Sequence, residues 1–521
     1  MNGPTGRTPP AVGRLPSVLF DGPHHVDAKV IANPACFSDL NLDQFIGAVT
    51  ARREEYDLEP VFSSPLRDPG TVRYRQAVLR DLGNPELSAC VRSFGEQMRR
   101  VRGQLSSVRK IEHRYYREGR FLDAVELYCR AVTSLADGLA SPVVGSRGLE
   151  ELREYLATYV RSGAFAGMTS DMRSLRRDLG AVNYAINIRG TRITVSDYGG
   201  EPDYGAEVEE TFAKFKQGAV KDYRATFPEL DMGHVQAQVL DLVARLHPGV
   251  FSALDDFCVR HGTFIDGTVQ VFDREVQFYL AYLDYIARIK DAGLPFCFPE
   301  VTENVAETAA TDAFDIVLAN AKVSAGAIVV CNGFYLQGPE RLLVVTGTNQ
   351  GGKTTFARAF GQLHYLASLG LAVPARTARL FLPDHIFTHF ERQESLGTLR
   401  GKLEDELVRV HDILQRATGR SIVIMNETFT STTLEDALYV GKKVVSQMTD
   451  LGVVGVYVTF VDELASLGDA TVSMVAAIDP QHPTERTFRI VRKPAEGLAY
   501  AGAIAEKYGL THAALMKRLA S

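Results

Sequence analysis

From about Leu40 to Ala292 the apolar positions return every three or four residues, the period of helices that bury one face. Leu87, Val91, Phe94, Met98 and Val101 form one such stripe, and Phe121, Ala124, Val125, Tyr128 and Val132 form another. Between Tyr184 and Val195 the period drops to two, and Y-A-I-N-I-R-G-T-R-I-T-V alternates on either side of Arg189-Gly190. That pattern predicts a β-hairpin, with a strongly charged helix candidate after it over Glu207–Asp222. The composition changes again near Phe296-Cys297-Phe298-Pro299. From Ala325 onward short apolar runs alternate with helical patterns: Ala327–Val330, Leu342–Thr346, Ile422–Met425, Val453–Phe460, Val472–Ile478 and Thr487–Val491. Such alternation predicts an α/β domain around a largely parallel sheet that carries its ligand at the strand ends. The expected fold class is α + α/β: a flexible tail over 1–20, a mostly helical domain with a hairpin over 21–300, and an α/β domain over 321–521.

At 521 residues the chain exceeds what one core holds, in keeping with more than one domain. With 45% apolar and 23% charged residues it has the balance of a soluble globular protein. A net charge of −6 gives no global attraction to nucleic acid, so contact with DNA or RNA would fall to local basic faces. Arg92 to Arg120 holds nine Lys/Arg, among them Arg99, Arg100, Arg102, Arg109 and Lys110, against three acids. Arg173, Arg176, Arg177, Arg189 and Arg192 form a second group. Two readings stay open: contact with phosphates without sequence readout, or solvated helix faces paired with local glutamates. Six cysteines with no C-x-x-C pair predict reduced thiols and no zinc site. Met1–Pro16 is rich in Gly and Pro and lacks the apolar core of a signal peptide. No apolar run approaches the roughly 18 residues that span a bilayer, so a cytoplasmic chain without membrane contact is expected.

The chemistry concentrates in two segments. Gly347 to Thr355 reads G-T-N-Q-G-G-K-T-T, a complete G-x-x-x-x-G-K-[ST] loop between the apolar run Leu342–Val345 and a helical pattern of Phe356, Phe360, Leu363 and Leu366. Its glycines let backbone N–H groups turn toward phosphates, and the helix N-terminus adds its positive dipole end. Lys353 is placed to reach the β- and γ-phosphates of a nucleoside triphosphate, and Thr354 to offer its hydroxyl to Mg²⁺. The second segment, Ser421-Ile422-Val423-Ile424-Met425-Asn426-Glu427, has the form of a Walker B strand. Asn426 can hold a metal-bound water but adds no charge, whereas Glu427 is a candidate base or water-positioning group.

The order and wording of these motifs resemble a known family. T-G-T-N-Q-G-G-K-T-T resembles T-G-P-N-x-G-G-K-S-T, Gly370–Phe390 resembles G-x-x-V-P-A ending in D-x-I-F-T-R, and Asn426–Thr433 aligns without gaps on D-E-I-G-R-G-T-S. Val458–Leu464 stands where that family has A-T-H-Y-x-E-L, and Gly497–Ala501 is similar to its S-Y-G-like motif. These are the motifs of the ATPase domain of the MutS family of DNA mismatch-recognition proteins, and the resemblance runs from about Ala327 to Leu519. It implies an ABC-type P-loop ATPase domain, preceded by helical core and lever segments and a clamp-like hairpin region. It implies that Gly347, Asn349, Gly351, Gly352, Lys353, Thr354 and Thr355 hold ATP, with Asn332 near the adenine. It further implies Mg²⁺ held by Thr354 and, through water, by Asn426, with Glu427 and Lys353 catalytic. A homodimer completes each site in that family, and its role is in mismatch repair. Four departures stand out: Asn426 in place of aspartate, Phe460 in place of histidine, Val329 in place of a stacking aromatic, and a signature at Gly401–Glu406 that keeps only Glu406. No F-x-E mismatch-reading motif is present, so the wedge that tests a base step is not expected. The expected function is an ATPase coupling dimer closure to DNA binding. The alternative is a nucleotide switch with vestigial hydrolysis, acting on branched DNA, structured RNA or a protein partner.

Overall fold

The computed structural model describes residues 16–21, 35–140, 144–200, 233–391, 401–478 and 486–495. The charged segment Glu207–Asp222 and the motif Gly497–Ala501 lie outside them. The described residues are mainly helical and carry three sheets, an α+β composition. By contacts the chain divides into two units that interleave in sequence: 1–83 with 145–149 and 274–521, and 84–144 with 150–273.

The second of these units is built on long helices. Helix Pro85–Val108 is capped by Asn84, whose side chain accepts from Glu86 N and Leu87 N. Its stripe Leu87, Val91, Phe94, Met98 and Val101 is buried as expected, and Ala124, Val125, Tyr128 and Val132 of helix Arg114–Ala140 are buried with it. The hairpin is present as β1 (Tyr184–Arg189) and β2 (Arg192–Asp197), antiparallel with Arg189 opposite Arg192 across a turn at Gly190-Thr191. Its apolar row, Tyr184, Ile186 and Ile188, is exposed.

The first unit holds the other two sheets. The smaller is made of β3 (Glu300–Thr302), β4 (Ala309–Ala313), β5 (Asn332–Tyr335) and β7 (Thr377–Phe381), in the order β3-β7-β4-β5. The larger has six strands: β6 (Leu342–Thr346), β8 (Ile386–Phe390), β9 (Ile422–Asn426), β10 (Val454–Val458), β11 (Thr471–Ile478) and β12 (Arg486–Arg492). Their order is β12-β11-β6-β10-β9-β8, and all but β12 run parallel. Every residue of β6, β9 and β10 is buried, which is why each reads as an unbroken apolar run instead of an alternating one.

One expected strand is displaced. Ala327–Val330 is not a strand: Ala327 N donates to Lys322 O, closing the end of helix Ile316–Ser324, and the chain then runs without ladder partners to β5. Ile328 is 87% exposed. The run is apolar because it lines a cleft.

Candidate functional site

Two loops leave the same edge of the six-stranded sheet. Val345 of β6 pairs in register with Val458 of β10, and Val458 with Asn426 of β9. The strands are parallel, so the loop after β6 and the turn after β9 emerge side by side at the carboxyl edge, separated by one strand.

The first loop folds as glycine dictates. Gly347 has φ +110° and Gly352 has φ +92°, the left-handed region that side chains avoid. A Cβ on Gly351 would lie 2.9 Å from Thr348 O and 3.0 Å from the Ala476 Cβ, so the loop closes tightly on β11. Gly352 caps the 16-residue helix Lys353–Ser368 and supplies no side-chain partner, leaving the first-turn N–H groups open toward the loop.

Lys353 is only 4% exposed. Its Nζ donates to Gly347 O at 2.8 Å, Thr348 O at 3.4 Å and Asn349 Oδ1 at 3.3 Å. Glu427 Oε1 lies 3.9 Å from it across the cleft. Burial holds the Lys353 ammonium below its ordinary pKa, and Glu427 and Asp462 oppose that shift. Thr354 Oγ1 donates to Asn426 Oδ1 at 3.0 Å, joining the helix start to the end of β9. Lys353, Thr354, Asn426 and Glu427, 72 or more residues apart in pairs across the two segments, therefore share one cleft.

Glu427 itself is held at φ +52°, with its N–H donated to Val458 O at 3.0 Å. Phe429 follows at φ +62°. Thr428, between them, bonds its hydroxyl to Tyr457 Oη at 2.7 Å inside the core. Two left-handed non-glycine residues within three positions is a costly conformation, kept only where its surroundings over-determine it.

The cleft has a volume of about 340 Å³. Besides Gly352, Lys353, Thr354, Thr355 and Glu427 it is lined by Leu318, Lys322, Ile328, Val329, Val330, Asn332 and Phe488. Asn332 spends its amide on β12: its Nδ2 donates to Phe488 O at 3.1 Å, and its Oδ1 accepts from Ile490 N at 2.7 Å. That clasp holds Phe488 at φ +56° on the cleft wall. The sequence pattern places Phe488 in a strand but not in the site, because its placement depends on Asn332, 156 residues away.

Glu406, the remnant of the signature, is 3% exposed and accepts from Phe429 N at 2.9 Å within the same chain. Among the residues singled out for nucleic acid, Arg99, Arg100, Arg109 and Lys110 are exposed. Arg102 pairs with buried Asp273, a structural use that the run of charges could not reveal. Likewise Arg176 is paired with Asp123 and Glu126. All six cysteines are free thiols. Among the described residues no group of His, Cys, Asp and Glu is arranged to hold a metal by itself, and no helix is long and apolar enough to cross a membrane.

Residues 343–518 match the profile of MutS domain V. The DNA mismatch repair protein MutS of Zymomonas mobilis is 32% identical over 232 residues, 42% of this chain and 26% of that protein. The MutS of Psychrobacter cryohalolentis is 33% identical over 131 residues, 25% of this chain and 13% of that protein. The chain thus spans about a quarter or less of these relatives' length. Residues 343–518 thus form a MutS domain V, the part of the chain that is similar to the MutS proteins.

Proposed function

We propose that the α/β part is an ABC-type P-loop ATPase domain that binds ATP in the cleft and hydrolyses it. The observation that carries this reading is the convergence of Lys353, Thr354, Asn426 and Glu427 on one glycine-shaped loop at the sheet's carboxyl edge. Gly352 and Thr355 line the cleft, and with Gly347, Asn349 and Gly351 they form the loop that would hold the phosphates, where N–H groups and the helix dipole favour an anion. Asn332 and Phe488 stand at the base end, Phe488 supplying the aromatic wall that Val329 does not. The donor set fits Mg²⁺ as the Thr354 hydroxyl with a water held by Asn426 Oδ1; when bound, the ion neutralises charge on the phosphates. Lys353 supplies a fixed positive charge to the same phosphates, and Glu427 orients the attacking water and takes its proton.

The family match supports a homodimer and a role related to mismatch repair, in which nucleotide-driven closure is coupled to DNA. Exposed Phe460 and Leu434, on segments leaving the same carboxyl edge, support a facing subunit. Exposed Arg99, Arg100, Arg109 and Lys110 are the candidate phosphate contacts. Asn426 favours a second reading, a switch whose hydrolysis is vestigial and whose target is branched DNA, structured RNA or a protein. Lys353→Ala is expected to abolish ATP binding in equilibrium dialysis, and Glu427→Gln to retain binding while losing turnover. Wild-type affinity in the first variant would overturn the nucleotide reading. Turnover unchanged in the second would move catalysis elsewhere.

A further inference from the structure

The turn that carries Glu427 poses a physical problem that its own residues do not solve. Phe429 sits at φ +62°, a left-handed conformation that a bulky side chain adopts only with strain. The position stands opposite a glycine in the motif D-E-I-G-R-G-T-S, where no such strain arises. Two features compensate. The Phe429 ring is 1% exposed, in a core shared with Val410 and Leu414 of helix Lys402–Arg416. Its N–H is donated to the Glu406 carboxylate on that same helix. A second tie runs through Glu391, whose Oε1 accepts from Lys402 Nζ at 2.7 Å and from Thr430 Oγ1 at 3.2 Å. Helix Lys402–Arg416 therefore grips the turn from Phe429 to Thr430, separated from Glu427 by one residue.

We infer that Glu406 is a positioning residue: by holding the Phe429 N–H it locks the left-handed turn and so fixes the Glu427 carboxylate opposite Lys353. This deepens the ATPase reading and rests on it for the catalytic consequence, but the lock itself is a property of the fold. Burial raises the Glu406 carboxyl pKa while the Phe429 N–H opposes that shift, as befits a carboxyl kept in the core for one backbone donor.

The test uses the full chain and two readouts. Glu406→Ala removes the acceptor, whereas Glu406→Gln keeps a carbonyl oxygen in its place. Hydrogen exchange of the peptide covering 427–431 is expected to quicken about tenfold in the Ala variant and to stay near wild type in the Gln variant. Turnover is expected to fall about tenfold in Glu406→Ala with KM unchanged. Phe429→Gly in that background is expected to restore it, because glycine holds φ > 0 without help. Unaltered exchange at 427–431 in Glu406→Ala would overturn the lock. So would equal turnover in Glu406→Ala with and without Phe429→Gly, since that marks a purely structural loss. A wild-type chain with no turnover would remove the hydrolysis reading and leave the exchange comparison to decide the lock. Should Glu406→Ala fail to fold, Glu406→Gln decides it. Wild-type protection at 427–431 in that variant supports the lock, and faster exchange there, unrelieved by adding Phe429→Gly, refutes it.

Discussion

At the residue scale the site turns on one atom pair, Thr354 Oγ1 on Asn426 Oδ1. An aspartate at 426 could accept the same bond, yet it would place a second carboxylate beside Glu427. Like charges that close raise one carboxyl pKa, and each step of one in pKa changes the balance of acid and carboxylate about tenfold. Asn426→Asp is therefore expected to slow turnover by about tenfold, measured at several Mg²⁺ concentrations. A clear gain would mean that asparagine had weakened the site and that the switch reading holds. A second residue tests the core below it. His364 is fully buried between Phe360 and Phe381, with Nε2 unpartnered, and burial pushes its pKa down to about 4. The folded chain keeps this ring neutral down to that pH, while the unfolded chain protonates it below about 6.5. The unfolded state then binds the extra proton, so stability falls as pH drops from about 6.5 toward 4, by up to about 1.4 kcal/mol per pH unit. His364→Leu is expected to flatten that slope in urea titrations at pH 7 and pH 5. An unchanged slope would assign the acid sensitivity to other groups.

At the scale of elements, the middle of the large sheet depends on a residue with no side chain. Gly455 in β10 lies between β9 and β6, and a Cβ there would fall 1.9 Å from Val423 O. The sheet could accept it only by breaking the β9–β10 ladder. Gly455→Ala is expected to cost about 4 kcal/mol or more, against about 2 kcal/mol for Val456→Ala next to it, read from denaturant midpoints. Equal losses would show that the strands can part. What the chain makes legible follows from the same packing. β6, β9 and β10 are readable because strands buried on both faces are apolar throughout or nearly so, and the hairpin because its alternation flanks Arg189-Gly190. β4, β7 and β8 do not stand out in the same way: Ala309–Ala313 and Thr377–Phe381 mix small, polar and charged residues at partly exposed positions. Lys353, Thr354, Asn426 and Glu427 can be picked out because their motifs are local. Phe488 and the hold of Glu406 on Phe429 cannot, since each exists only through a contact between distant segments.

At the scale of the molecule, the unit that bears the cleft is fastened by a short segment far from it in sequence. Ser17–Phe20 is seated through its backbone: Tyr74 Oη donates to Ser17 O, Tyr279 Oη to Val18 O and Arg75 Nε to Leu19 O. Val18 N and Ser17 Oγ in turn donate to Glu275. Arg75 is fully buried, lies over the Phe20 and Phe278 rings, and donates from Nη1 to Leu369 O at 3.2 Å. Leu369 caps the helix that begins at Lys353, so one guanidinium joins the segment to the far end of the phosphate-loop helix. Burial lowers the Arg75 pKa to about 10, which leaves it charged at neutral pH. Removing residues 1–21 would strip a hydrogen-bond partner from each of Arg75 and Glu275, and a hydrogen bond to a charged group contributes about 1.5–3 kcal/mol. The truncated chain is expected to lose stability on that order and to bind ATP more weakly, because the helix cap loses its support. Adding Arg75→Met to the truncation is expected to recover part of the stability, since it removes a buried charge that has lost one of its two carbonyls. Denaturant unfolding of the three chains decides this. A truncation within about 0.5 kcal/mol of the full chain would show that the segment merely rests on the surface it covers.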